Sequence, residues 1–215
     1  MFSLDRKLSL FLAKKLWDEN VYCGMKMENR NVTFPQTRTI LDGINVADVS
    51  LEDVIAIRNM RDAWQYILKN TDAELNLNYI CTLNSFIARD EALEWGKLRT
   101  GFVGISGTDY RPPVPVESDV KNDLNRIIHS YISVTERALD IFCYITYKQL
   151  FRDGNKRTAL AAANKILVSN GCGMLTVKDS DMEQFNISLR NMYETGNKDK
   201  LKHFLYTHAI KGIEF

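Results

Sequence analysis

Three of the chain's four prolines, Pro112, Pro113 and Pro115, fall within one short run. Proline breaks helices and removes a donor from a sheet, so their clustering leaves long stretches on both sides open to helix. Apolar residues at helical spacing fill those stretches. Leu8, Leu10, Phe11, Leu12, Leu16 and Trp17 recur among lysines and predict an amphipathic helix over 6–18. Thr33 with Gln36 reads as a capping box before a short helix that Gly43 ends. Ser50 with Asp53, and Val49 with Val54 as a hydrophobic staple, start a long helix through Ile57, Trp64 and Ile67. Further helices are expected over 77–88, 118–131, 134–150 and 158–170, the last closed by Gly171. A short strand over 174–177 and a helix capped by Ser180 with Glu183 follow, and an amphipathic segment begins at Lys198.

Residues 99–116 break this period. Val103 and Ile105 alternate, Gly107-Thr108-Asp109 turns the chain, and Tyr110-Arg111-Pro112-Pro113 leaves it extended. A β-hairpin with a rigid proline exit is expected. An isolated hairpin is marginal in water, so it must rest on the helices or on a ligand. The fold class is therefore all-α, a single helical domain with a small β-hairpin.

At 215 residues and a formal charge of +1, the chain suits one domain and shows no basic excess for nucleic acid. No apolar run is long enough to span a membrane, and the opening residues lack the apolar core of a signal peptide. Cys23, Cys81, Cys143 and Cys172 are widely spaced, without a CxxC pair, and read as small apolar residues in a reducing compartment. A cytoplasmic protein is expected.

The stretch hardest to explain by folding alone is Gln149-Leu-Phe-Arg-Asp-Gly-Asn-Lys-Arg-Thr158. Ala138, Phe142, Ile145 and Gln149 share one helix face, so Gln149 emerges at its inner edge. Phe151 anchors the turn. The next helix starts near Asn155, and its first free amides face the loop as an anion site. Gly154 permits close backbone approach. Lys156 and Arg157 supply cations for phosphate oxygens. Asp153 either balances those cations or holds a Mg²⁺ that bridges phosphates. A plain Asp-Gly-Asn turn with a solvated Lys-Arg start is the competing reading.

This stretch resembles the signature of the Fic/Doc (Fido) family, His-x-Phe-x-Asp/Glu-Gly/Ala-Asn-Gly/Lys-x-x-x-Arg, and its Asn-Lys-Arg-Thr-Ala ending is similar to the Doc-like branch. Leu98-Arg99-Thr100, Val103, Ile105, Gly107-Thr108 and Tyr110-x-Pro-Pro resemble the family's flap, which clamps a target polypeptide beside the nucleotide. Gly24-x-x-x-Glu28-Asn29 resembles the inhibitory-helix motif. The implied organisation is an N-terminal helical segment over 1–45 with that motif, then a Fic/Doc-like domain over 46–215, with its flap at 99–116 and its motif loop at 149–160. The resemblance implies ATP or another nucleotide and Mg²⁺ as cofactors. It implies Asp153 as the metal ligand, and Gly154, Asn155, Lys156 and Arg157 as the phosphate cradle. Gly104, Ile105, Ser106, Gly107, Thr108 and Tyr110 would bind a protein target, and Glu28 would be inhibitory. AMP transfer to a protein hydroxyl is the family's usual activity; phosphoryl transfer is that of its toxin–antitoxin-like Doc branch. Phe11 and Trp17 on the first helix are compatible with a homodimer.

Two residues depart from the pattern. Gln149 occupies the position of the general-base histidine, and an amide cannot take the attacking hydroxyl's proton. None of His129, His203 and His208 lies next to it in the sequence. Leu160 occupies the position of the second arginine, which argues against ordinary AMP transfer more than against phosphate binding. Two functions follow. One is a nucleotide-binding protein with impaired or atypical chemistry. The other is a working transferase in which Gln149 only positions the nucleophile, as a glutamine orients water in GTPases. A purely structural helical domain would leave the acid–cation loop unexplained.

Overall fold

The computed structural model describes residues 2–212. Nine α-helices run in chain order among them: α1 (Arg6–Met27), α2 (Phe34–Leu41), α3 (Leu51–Lys69), α4 (Leu77–Ile87), α5 (Glu117–Ile128), α6 (Val134–Lys148), α7 (Asn155–Ser169), α8 (Met182–Thr195) and α9 (Asp199–Phe204). Two short strands, β1 (Met174–Leu175) and β2 (Ile210–Lys211), pair antiparallel, with Met174 opposite Lys211. The fold is all-α with one small β pair. Among the described residues no helix is long and apolar enough to cross a membrane.

The centre of the molecule is α7. Nearly all of it is buried, from Asn155 to Val168, and a helix buried all round must be apolar or small all round. Ala159, Ala161, Ala162 and Ala163 meet that demand and let α6 lie closely along it, while α1, α3 and α4 cover its other sides. Leu160 is fully buried in this packing. Burying one such leucine contributes about 2 kcal/mol. Buried amides fix the neighbours. Asn20 accepts from Trp64 Nε1 at 3.0 Å and donates to the Leu175 carbonyl at 2.6 Å, and Asn164 brackets the same residue with bonds of 2.9 and 2.7 Å.

Two of the three sequence-marked N-termini form as expected: Thr33 and Gln36 make a reciprocal capping box, and Ser50 Oγ accepts from the Asp53 amide at 3.1 Å. Four expectations need correction. First, α1 runs on past Asp18 to Met27, because its second half (Val21, Cys23, Met25, Met27) is buried rather than amphipathic. Gly24 on this buried half is a contact point, since a Cβ there would lie 2.9 Å from Met60 Cε. The second expectation concerns 99–116. This segment leaves the helices as extended chain and turns at Ser106–Gly107, but its arms form no ladder; the β pair of the fold joins β1 to β2 instead. Glycines at 101, 104 and 107 weaken cross-strand packing there. Third, Ser180 and Glu183 do not cap α8. A 3₁₀ turn over Asp179–Asp181 precedes that helix, and Ser180 Oγ bonds Asp181 at 3.2 Å. Last, the C-terminal segment is a short helix (α9) that widens into a π-turn over Leu205–Ala209 before β2. Trp17 is half-buried against the core, whereas Phe11 is 58% exposed.

Candidate functional site

The site forms where α6 ends and α7 begins. Gln149 caps α6 in the left-handed region (φ 47°, ψ 64°), a conformation that costs a non-glycine residue about 1 kcal/mol. Its side chain offsets that cost. Nε2 donates to the Thr146 carbonyl at 2.7 Å and to Tyr193 Oη at 3.3 Å, and Oε1 accepts from Asn155 Nδ2 at 3.1 Å. Asn155 also closes the loop on itself, with Oδ1 accepting from the Phe151 amide and Nδ2 donating to the Phe151 carbonyl, both at 2.9 Å. Phe151 is buried as the anchor.

Gly154 has φ 72°, and a Cβ there would meet Ile87 Cγ2 at 3.1 Å. Asn84 on α4 holds the loop from behind, donating to the Asp153 carbonyl at 3.0 Å and to Thr158 Oγ1 at 3.2 Å. The Asp153 carboxylate is half exposed; Oδ1 accepts from the Gly154 amide at 2.5 Å and stands 4.0 Å from Arg157. Among the described residues, the amides of Asn155, Lys156 and Arg157 find no protein acceptor, so the start of α7 keeps the donors of an anion site.

The two cations take different positions. Lys156 lines the cavity, donates to the Met27 carbonyl and pairs with Glu28 at 3.1 Å. Arg157 is 1% exposed and lies behind the loop, 2.8 Å from Glu91 and 3.5 Å from Glu28. Glu91 also pairs with Arg30, which bonds Asp53 at 2.8 Å. Burial works to raise the Glu28 carboxyl, but Lys156 and Arg157 outweigh it and hold its pKa below the ordinary carboxylate value.

A cavity of about 620 Å³ opens between this loop, residues 103–108 and one stripe of α8. Gly104, Ile105, Ser106, Gly107 and Thr108 line the same cavity as the motif loop. Tyr110 lies to one side, stacked on Tyr147 at 4.4 Å and facing Tyr193 at 6.1 Å. Arg99 fixes the feet of this ribbon. It is buried and donates to the carbonyls of Gln149 (2.6 Å), Gly101 (2.7 Å) and Pro113 (2.6 Å), so the ribbon and the end of α6 hang on one guanidinium.

Sequence reasoning missed the wall supplied by α8: Asn186, Leu189, Arg190 and Tyr193. Their spacing of three, one and three places them on one helix face, a signal present in the sequence but masked by the apolar stripe beside it. Glu91 and Asn84 carried no local signal. His129, His203 and His208 are all outside the cavity lining.

Residues 74–167 match the model of the Fic/DOC family. This segment is similar to a Fic/DOC domain. The chain is similar in fold to Fic-1 (aa134–508) from C. elegans, at TM-score 0.75 and 19% identity, over 94% of this chain and 69% of that one. It is likewise similar to a Fic family protein from Desulfovibrio desulfuricans G20, at TM-score 0.74 and 16% identity, over 90% of this chain and 62% of the other. BepC from Bartonella tribocorum, with bound AMPPNP, aligns at TM-score 0.50 and 16% identity, over 72% of this chain and 86% of that one. No curated protein matches the chain by sequence. The chain spans about two thirds of the length of the first two relatives. At these identities the likeness concerns the fold, and the segment that matches the Fic/DOC model includes α6, the motif loop and most of α7.

Proposed function

We propose that the chain binds ATP or a related nucleotide with Mg²⁺ in the cavity beside the motif loop, and that its group-transfer chemistry is impaired or atypical because Gln149 stands at the general-base position. The observation that carries this reading is the engagement of the non-basic Gln149 amide at the head of the loop. Both Nε2 protons are directed at Thr146 and Tyr193, and Oε1 accepts from Asn155; the second lone pair of Oε1 can orient an incoming hydroxyl, but an amide takes no proton from it. The free amides at the start of α7 and the Lys156 ammonium suit phosphate oxygens. Nucleotide binding by BepC, a protein of similar fold, supports the same class of ligand here.

Asp153 fits a metal ligand: its carboxylate is half exposed and lines the cavity. Mg²⁺ commonly takes one or two carboxylates and completes its shell with phosphates and water; when bound, it would neutralise phosphate charge. Calorimetry with ATP, with and without Mg²⁺, tests this. Asp153→Ala is expected to weaken the Mg²⁺-dependent affinity about tenfold, the worth of one charge-assisted contact. An unchanged affinity would place the metal elsewhere, and no binding by ATP, GTP or ADP would remove the reading.

Glu28 restrains the site in this proposal, because it holds the Lys156 ammonium at 3.1 Å. Neutralising it should release Lys156 toward phosphate. Glu28→Gln is expected to raise ATP affinity about fivefold, in line with one partly exposed ion pair. Equal or weaker binding would show that Glu28 has a purely structural part.

A further inference from the structure

Each glycine of the 99–108 ribbon has a guanidinium beside it. A Cβ at Gly101 would lie 2.8 Å from an Arg152 nitrogen, one at Gly104 2.8 Å from Arg111 Nη1, and one at Gly107 3.6 Å from Arg190 Nη2. These arginines come from three places: the motif loop, the outgoing arm of the ribbon, and α8. All three are exposed, and among the described residues none forms an ion pair. Asp109 is the sole acid between Arg99 and Val116. Glu94 pairs with Lys97 at 3.0 Å and feels Arg152 only as a weaker, more distant charge. A chain with a formal charge of +1 thus concentrates unpaired positive charge along one extended, unladdered ribbon.

We propose that this ribbon is a docking surface for an acidic polypeptide, an extended segment with Asp or Glu flanking the residue presented to the cavity. Open backbone on the ribbon supplies strand pairing, and Arg111, Arg152 and Arg190 supply the charge selection that backbone pairing lacks. Small residues at 101, 104 and 107 let the guanidinium groups lie against the ribbon instead of projecting past it. The inference rests on the reading of 99–116 as a target-binding flap.

Fluorescence anisotropy with the full chain tests it, using a labelled dodecapeptide of alternating Glu and Val around one Ser, with Gln-for-Glu and Lys-for-Glu counterparts. The Glu peptide is expected to bind about tenfold tighter than the Gln peptide at low salt, a ratio suited to three exposed charge pairs. That ratio should shrink toward one in about 0.5 M salt. The double variant Arg111→Gln, Arg190→Gln should lose most of it while melting as the wild type does, since both side chains are exposed. Equal binding of the Glu and Gln peptides, no binding of either, or a ratio that survives in the variant would overturn the proposal. ATP calorimetry on the same preparation separates the two readings. ATP binding with equal peptides sinks only the acidic preference, whereas an arginine-dependent preference without ATP binding sinks only the nucleotide site.

Discussion

Replacing Gln149 with histidine is expected to raise transfer of label from α- or γ-labelled ATP to protein hydroxyls by about 10²–10⁴-fold, the usual contribution of a positioned general base. The backbone already places this side chain at the end of α6, with Asn155 at its acceptor and the Thr146 carbonyl at its donor. An imidazole there would keep one nitrogen for the Thr146 carbonyl and leave the other basic. The two label positions separate AMP transfer from phosphoryl transfer. A histidine variant that binds ATP yet transfers label no faster than wild type would show that the missing base is not what limits this site. Rapid transfer by the wild type that Gln149→Ala slows would instead establish the positioning role.

Arg157→Met is expected to cost about 3 kcal/mol of stability, near the lower end for breaking a buried ion pair. The lower end applies because neither acid is left without a cation: Glu28 keeps Lys156 and Glu91 keeps Arg30. For a chain of this size such a loss lowers Tm by roughly 10 °C. Thermal or urea unfolding reads it directly, and a loss below about 1 kcal/mol would mean that relaxation or water compensates the network. The pH dependence has a definite sign. Glu28 has its folded pKa depressed by Lys156 and Arg157, so its contribution is present above the unfolded value of about 4.3. That contribution is lost as pH falls through the depressed folded value. The gap between wild type and Arg157→Met should therefore narrow in acid.

Helix starts were legible wherever a short polar side chain met the first free amides. Thr33 with Gln36 and Ser50 with Asp53 formed as expected because those bonds are local. Where a cap could form in more than one way, as at Ser180, the neighbouring Asp181 won. The ribbon at 99–116 was legible as a break in helical period but not as to pairing, since whether two arms ladder depends on what lies against them. Its attachment through Arg99 joins residues some fifty positions apart in the chain.

By itself the sequence determined the helical class, the motif loop between α6 and α7, and the absence of a basic side chain at 149, because periodicity, caps and residue chemistry are local properties. Tertiary structure alone decided how the charges were divided. Arg157 turns inward to Glu91 and Glu28, Lys156 remains at the cavity, and α8 brings Arg190 and Tyr193 to the opposite wall. The reason is physical: an ion pair and a cavity wall are made by side chains from distant segments, and only packing fixes which of them meet.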